Sequence, residues 1–279
     1  MNPLPFEYKE PVMKIEHLYA AFDDNPVLRD VNVEVRNVVR PGMRQGQVIG
    51  LLGPSGMGKT TLFRILAGLD EPDEGDVLVA DGDGATLKPV ARGMVGVVTQ
   101  DYRLLSHRTV MGNLLVAGKQ THRPGKEIRE QANSLLTKFE MDEHASKYPS
   151  QLSGGQRQRV AIAQQFMCSE KFLLMDEPFS GLDILAAARV IKFIKDTACL
   201  DELSTFVVVT HDITAAVQVC DTLLLLGRDI DADGKHIPGA RIQKTYNLMD
   251  MGLAWQEDIV SIPECIDLIK QIRADFRIL

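Results

Sequence analysis

The segment GPSGMGKT at residues 53–60 sets a basic side chain and a hydroxyl at the end of a glycine-rich stretch, a combination suited to holding a chain of phosphates. Gly53, Gly56 and Gly58 let the backbone wrap tightly, so that its N–H groups converge on the anion. The contact set runs from Gly53 through Pro54, Ser55, Gly56, Met57, Gly58 and Lys59 to Thr60 and Thr61. Lys59 is placed to reach the β- and γ-phosphates of a nucleotide, and the Thr60 hydroxyl to ligate Mg²⁺. Far downstream, FLLMDE at 172–177 ends an apolar run in adjacent carboxylates. Asp176 can hold Mg²⁺ through its water shell, and Glu177, one residue further, can orient or deprotonate a water attacking the γ-phosphate. An acidic pair after an apolar run is often only a turn or a helix cap. Together with the loop at 53–60 it describes a phosphoryl-transfer site.

Such a site needs elements that deliver both segments to one edge. QVIGLLG (47–53) reads as a buried strand leading into the loop, and TTLFRILAGL (60–69) as the helix leaving it, its positive end toward the phosphates. Residues 94–100, 171–177, 204–210 and 222–227 are continuously apolar runs, the pattern of parallel strands covered on both faces. Helical spacing over 156–168, 183–199 and 212–220 alternates with them, which predicts βαβ units. In the second of these helices Leu185, Ala188, Ile191, Phe193 and Ile194 are expected to line the buried face. Ligands collect at the carboxyl ends of strands in such sheets, where both 53–60 and 176–177 fall. Residues 101–152 carry no strand pattern and read as a helical insert containing TVMGNLLVAGK and EIREQANSLLTKFE. After Gly227 a polar, turn-rich segment leads to the amphipathic PECIDLIKQIRADF, read as a C-terminal extension over 228–279.

The 279 residues carry 31 Lys plus Arg against 38 Asp plus Glu, and a net charge of −7 disfavours non-specific contact with nucleic acid or anionic lipid. The four cysteines lie far apart without metal-ligand spacing, as expected for reduced thiols of a cytosolic protein. The N-terminal stretch contains prolines and acidic residues and lacks the apolar core of a secretory signal. No apolar run approaches the about 20 residues that cross a bilayer, so contact with a membrane is expected to go through a partner.

A kinase, a small GTPase or a helicase could share these features. The segment LSGGQRQR at 152–159, just before the carboxylate strand, separates them. Ser153, Gly154, Gly155 and Gln156 open a predicted helix, offering a hydroxyl, free N–H groups and a positive dipole end as a second anion site. This segment resembles the signature of ATP-binding-cassette (ABC) ATPases. The resemblance covers roughly residues 12–227 and implies a P-loop, RecA-like α/β core with a mostly parallel sheet, an antiparallel β part near the N-terminus and an inserted α-helical subdomain. It implies one domain: a nucleotide-binding core over 12–100 and 156–227, and the subdomain with the signature over 101–155.

The same resemblance implies roles for isolated residues. Gln100, ending the run MVGVVTQ, would touch Mg²⁺ or the lytic water; His211, ending STFVVVT, would contact the γ-phosphate. Asp183 of SGLD would stand at a dimer interface beside the partner's phosphate loop. Phe22 would stack on adenine where the family more often has Tyr, with Tyr19 the alternative. The catalytic set is then Glu177, His211, Gln100 and Lys59, with Thr60, Gln100 and Asp176 on the metal. ATP and Mg²⁺ are the implied cofactors. Implied partners are a second copy or a paralogous ATPase, transmembrane permease subunits and a substrate-binding protein, at the cytoplasmic face of a membrane and without nucleic acid. The stretch QDYRLLSHRTVMGNL favours an importer, with Leu104, Leu105, Val110 and Leu114 expected to wall a groove for a membrane subunit. A soluble ABC ATPase of the iron–sulfur assembly kind and a lipid-transport ATPase are the alternatives. Residues 36–45 are longer than the usual turn before the phosphate loop.

Overall fold

The computed structural model describes residues 5–279 except 24, 41–45, 82, 83, 85, 122, 169, 170, 200–202 and 257. Two long strands, β1 (Glu7–Phe22) and β2 (Asn25–Val39), form a hairpin; β3 (Gln47–Leu52) then feeds the phosphate loop and α1 (Lys59–Leu66). Next come β4 (Glu74–Ala80), β5 (Leu87–Pro89) and the short β6 (Gly96–Val98). The insert supplies α2 (Val110–Gly118), α3 (Gly125–Lys138) and α4 (Gly154–Phe166). The core resumes with β7 (Phe172–Asp176), α5 (Ile184–Ala198), β8 (Thr205–Thr210), α6 (Ile213–Val219) and β9 (Thr222–Gly227). It ends in β10 (Arg241–Asn247) and α7 (Pro263–Asp275).

These strands make two sheets, a four-stranded antiparallel one ordered β2-β1-β4-β5 and a six-stranded one ordered β10-β9-β3-β8-β7-β6. In the second, β9, β3, β8, β7 and β6 run parallel and β10 joins the β9 edge antiparallel. Every residue of β3 and β8 is buried, as their continuous apolar character requires. Alternation then sorts side chains between two cores. Ile49, Leu51, Leu174, Val207 and Leu224 face the antiparallel sheet and α1, whereas Val48, Leu52, Leu173, Val208 and Leu225 face the remaining helices.

The second core includes residues of the insert and of the C-terminal segment. Leu114, Leu136 and Ile162 of the insert lie in it beside Tyr246, Leu268 and Ile272. Tyr246 of β10 is 2% exposed, so the segment after Gly227 covers one end of the sheet. Among the described residues no helix is long and apolar enough to cross a membrane.

Three expectations need correction. The strand anticipated over 94–100 is reduced to Gly96–Val98, because Met94 closes a turn onto the Ala91 carbonyl and the edge strand has only β7 as a partner. On α5 the buried residues are Val190, Ile191, Ile194, Thr197 and Ala198; Leu185, 71% exposed, and Ala188 face solvent. The first turn of that helix is uncovered among the described residues, with Ile184 87% exposed. Val110 and Leu114 are fully buried in the second core, so neither can wall an open groove; Leu104 is half-buried and Leu105 exposed. Of the long connection at 36–45, residues 41–45 lie outside the described residues.

Candidate functional site

The phosphate loop leaves β3 and turns through two left-handed glycines, Gly56 (φ 82°) and Gly58 (φ 79°). Only glycine adopts that backbone freely. A Cβ on Gly56 would meet nothing within 4 Å, so the loop encloses an open cradle. A Cβ on Gly58 would come within 2.9 Å of Val27 and 3.0 Å of Leu28, which fixes the β1–β2 hairpin against the loop. Lys59 donates to the carbonyls of Gly53 (2.6 Å) and Pro54 (2.9 Å) and so ties the loop to its own entry. A lysine ammonium carries three protons, and one remains for an anion. Thr60 and Ser55 are exposed and Thr61 half-buried, while Met57 packs against the core.

Parallel pairing brings the carboxylates to this loop. Asp176 ends β7 opposite Val209 of β8, so Glu177 and Thr210 follow side by side. The Glu177 N–H donates to the Val209 carbonyl at 2.8 Å, and its backbone sits at φ 45°, a left-handed conformation unusual for glutamate. Its carboxylate is gripped on both oxygens. The Thr210 hydroxyl donates to Oε2 at 2.9 Å, and His211 Nδ1 lies 2.7 Å from Oε1. The Glu177 side chain is 18% exposed and that of His211 62%, so the pair opens outward. Burial holds the Lys59 ammonium below its ordinary pKa, with Glu177 and Asp176 pulling it back up. Burial first, and then the charge of Glu177, raise the Asp176 carboxyl, against the opposing effect of Lys59. The parallel pairing of β3, β8 and β7 brings Lys59, Asp176 and Glu177 to one edge of the sheet, in keeping with their mutual electrostatic influence.

Residue pairing also carries Gln100 to this edge. Val98 pairs with Met175, so Gln100 and Glu177 each stand two residues beyond a matched pair; Gln100 is exposed. Nearby, the Tyr102 hydroxyl donates to the Pro178 carbonyl at 3.2 Å, joining the start of the insert to the chain after Glu177. Phe22 closes the hairpin opposite Asn25 and is 58% exposed. Tyr19 is half-buried and pairs with Glu74 of β4 within the sheet.

The signature segment lies apart from this cluster. Ser153 caps α4: its hydroxyl accepts from the Gln156 N–H at 3.3 Å, while Gln156 Oε1 accepts from the Ser153 N–H at 2.9 Å. Gln156 reaches on to His144 at 2.7 Å. Gly154 and Gly155 are exposed, and a Cβ on either would meet nothing within 4 Å. Among the described residues the hydrogen bonds of this turn stay within α4 and reach His144; none runs to the Lys59–Glu177 cluster. Asp183 caps α5, its carboxylate accepting from the Ala186 N–H at 2.8 Å, and is exposed.

Sequence reasoning missed two supporting residues. Thr210 is one; a polar residue closing an apolar strand next to His211 was its only signal. Asn113 is the other. Fully buried, it accepts from the Leu105 N–H at 2.7 Å and donates to the Leu105 and Thr109 carbonyls, pinning the loop that displays Leu105.

The donor set fits Mg²⁺ with a nucleotide. Among the described residues no group of three or more His, Cys, Asp or Glu forms a metal cage. Mg²⁺ characteristically takes one or two protein oxygens and completes its shell with waters and phosphate oxygens, a role open to Asp176 and Thr60. Fold and site together define a P-loop nucleotide-binding cassette with an additional exposed helix start. The chain belongs to the ABC transporter family, whose model matches residues 37–180. It is 38% identical over 215 residues to the spermidine/putrescine import ATP-binding protein PotA of Thermotoga maritima, a match covering 77% of this chain and 55% of that protein. It is 36% identical to the sulfate/thiosulfate import ATP-binding protein CysA of a Synechocystis strain, over 76% of this chain and 57% of that one. The chain thus spans little more than half the length of these curated relatives. Among solved structures, cbiO1 from Clostridium perfringens, part of the ABC transporter complex cbiONQ, matches with a TM-score of 0.71 at 25% identity over 95% of this chain and 100% of its own. A dimeric bacterial ABC transporter cassette matches with a TM-score of 0.60 at 26% identity, over 85% of this chain and 98% of that one.

Proposed function

We propose that this chain binds and hydrolyses ATP with Mg²⁺ as one cassette of a pair, and energises import through separate transmembrane subunits. One observation supports the reading: among the described residues no hydrogen bond joins the two candidate anion-binding segments within one copy. The first is the cradle with Lys59, Asp176 and the clamped Glu177; the second is the exposed start of α4 at Ser153–Gly155. Two copies in head-to-tail register can each close the other's nucleotide site, giving two ATP molecules between them. In this reading the whole chain is a single ATPase domain. Glu177 polarises the lytic water, His211 and Gln100 meet the γ-phosphate end, and Phe22 stacks on the base. When bound, Mg²⁺ offsets charge on the β- and γ-oxygens. The names of the relatives support import, and the membrane and substrate-binding partners follow from the same likeness; the chemistry of the cargo belongs to those partners.

The test is Glu177→Gln, which keeps size and polarity but removes the base. ATP binding persists, hydrolysis slows at least ~10²-fold, and the variant accumulates as an ATP-dependent dimer in gel filtration. Wild-type turnover in Glu177→Gln removes this residue from its role. An ATP-bound protein that stays monomeric removes the paired-site reading.

A further inference from the structure

A cavity of about 680 Å³ lies between α5, α6 and the segment leading into α7. Pockets of this size hold small organic ligands. No residue of the phosphate loop lines it, and neither do Asp176, Glu177 or His211. Ile191, Val217, Val219 and Ile259 give it an apolar wall.

Its charged lining is mixed, Arg40, Lys192 and Lys195 against Asp196, Asp221 and Asp258, and within it two cationic groups are under-partnered. Arg40 is 2% exposed at its side chain, stacks 3.4 Å over the Trp255 ring and stands 3.6 Å from the Asp221 carboxylate. Asp221 is already engaged: it accepts from Trp255 Nε1 at 2.5 Å and from the Val48 N–H at 2.8 Å. Arg40 Nε is buried with no hydrogen-bond partner, a costly state for a guanidinium. Lys195 is half-buried on the same wall, and no carboxylate among the described residues pairs with it at ion-pair distance. Burial lowers its pKa, while the charge of Asp221 works the other way. Of the other acids, Asp196 is exposed and bound to Lys192 at 3.0 Å, and Asp258 is exposed at the mouth.

We propose that this cavity binds a small organic anion, an apolar body bearing one carboxylate, with its head on Lys195 and Arg40 and its body along Ile191, Val219 and Ile259. Lys195 gains the anionic partner it lacks, the unpartnered Arg40 Nε gains an acceptor in addition to Asp221, and the apolar wall is covered. The site is also placed to influence nucleotide binding, a consequence that rests on the roles proposed above for Asp183 and His211. Asp183 caps the far end of α5, and His211 immediately precedes Asp212, which caps α6. A ligand seated between these helices bears on two rigid elements whose N-terminal ends lie at those residues.

Trp255 is the chain's single tryptophan, so its emission reports this cavity without a label. The probe is sodium octanoate, with octan-1-ol as its uncharged counterpart, both titrated without nucleotide. A saturable change in emission is expected with octanoate. Lys195→Met should weaken that binding at least ~10-fold, the loss expected when one charge-assisted contact in a sheltered site is removed, and Lys195→Arg should restore it. Ala188→Phe, at an exposed position on the cavity wall, should block entry while leaving both cations in place. Octanoate without saturable effect at millimolar concentration overturns the site, as does equal binding by octanol or unchanged affinity in Lys195→Met and Ala188→Phe. For the coupling, octanoate affinity is compared with and without ATP·Mg in Glu177→Gln. A shift of about fivefold or more is expected, and equal affinities in a protein that binds ATP defeat the coupling. A protein that binds octanoate but no ATP defeats the nucleotide reading alone.

Discussion

Replacing Thr210 by valine removes one hydroxyl from a fully buried position and keeps the branched shape of the side chain. That hydroxyl has two duties: it donates to Glu177 Oε2 at 2.9 Å and accepts from the Asp212 N–H at 3.1 Å. A hydrogen bond to a charged group contributes about 1.5–3 kcal/mol. With the Glu177 side chain 18% exposed, the lower part of that range applies, about 1.5–2 kcal/mol. At 1.36 kcal/mol per decade this becomes a roughly 10–30-fold fall in kcat. ATP affinity should hold, because Thr210 acts on the nucleotide only through Glu177. The unpaired Asp212 N–H adds about 1 kcal/mol of destabilisation, a fall of about 2–4 °C in melting temperature. Steady-state phosphate release against ATP concentration, nucleotide titration and a thermal melt separate the three quantities, and Thr210→Ser should recover most of kcat. A Thr210→Val protein with unchanged kcat, or one whose ATP affinity falls in step with kcat, refutes Thr210 as the residue that positions Glu177.

Phe22→Ala should weaken ATP binding by about 1–3 kcal/mol, the scale of base–aromatic stacking, with an unchanged melt because the ring is 58% exposed. Tyr19→Ala, within the β1–β4 pairing, should lower the melting temperature instead; the reverse ranking in nucleotide titrations moves the adenine contact to Tyr19. Leu105→Asp should keep melting temperature and basal hydrolysis while losing pull-down of a membrane partner, whereas Leu114→Asp, 0% exposed, should fail to fold stably. A sharp drop in melting temperature for Leu105→Asp assigns that leucine to the insert's core. Asp221→Ala strands the buried Arg40, and breaking a buried pair in this way costs about 3–5 kcal/mol. Chemical denaturation showing a loss below about 1 kcal/mol contradicts that pairing.

What the sequence made legible follows from where burial is two-sided. The interiors of 47–52, 205–210 and 222–227 are apolar without a polar break because both faces of those strands are covered, so each stands out as a run. The β1–β2 hairpin is harder to read. Its register shifts at Tyr8/Pro11, Ile15/Leu18 and Ala20/Ala21 reset the alternation each time. β10 gives almost no signal, since Tyr246 is the one buried side chain among RIQKTYN. At the site, GPSGMGKT and MDE are local patterns and could be found by spacing. The grip of Thr210 on Glu177 depends on the register between β7 and β8, and the contact of Gly58 with Val27 on where the hairpin docks. Such facts live in the fold and leave little trace in composition or period. The expected face of α5 failed for a related reason: helical spacing locates an apolar stripe but not the point along the helix where the protein stops covering it.

The left-handed backbone at Glu177 carries a consequence for how this sequence can change over generations. A glutamate held at φ 45° stores on the order of 1–3 kcal/mol that glycine or asparagine would release. Because most substitutions destabilise, a position where replacement relaxes the backbone draws any lineage no longer selected for turnover. Descendants that keep the cassette as a binding partner but no longer need its chemistry should lose their glutamate here early, while GPSGMGKT persists. A laboratory screen for heat resistance alone would find the same exit and return folded, ATP-binding, inert proteins altered at residue 177.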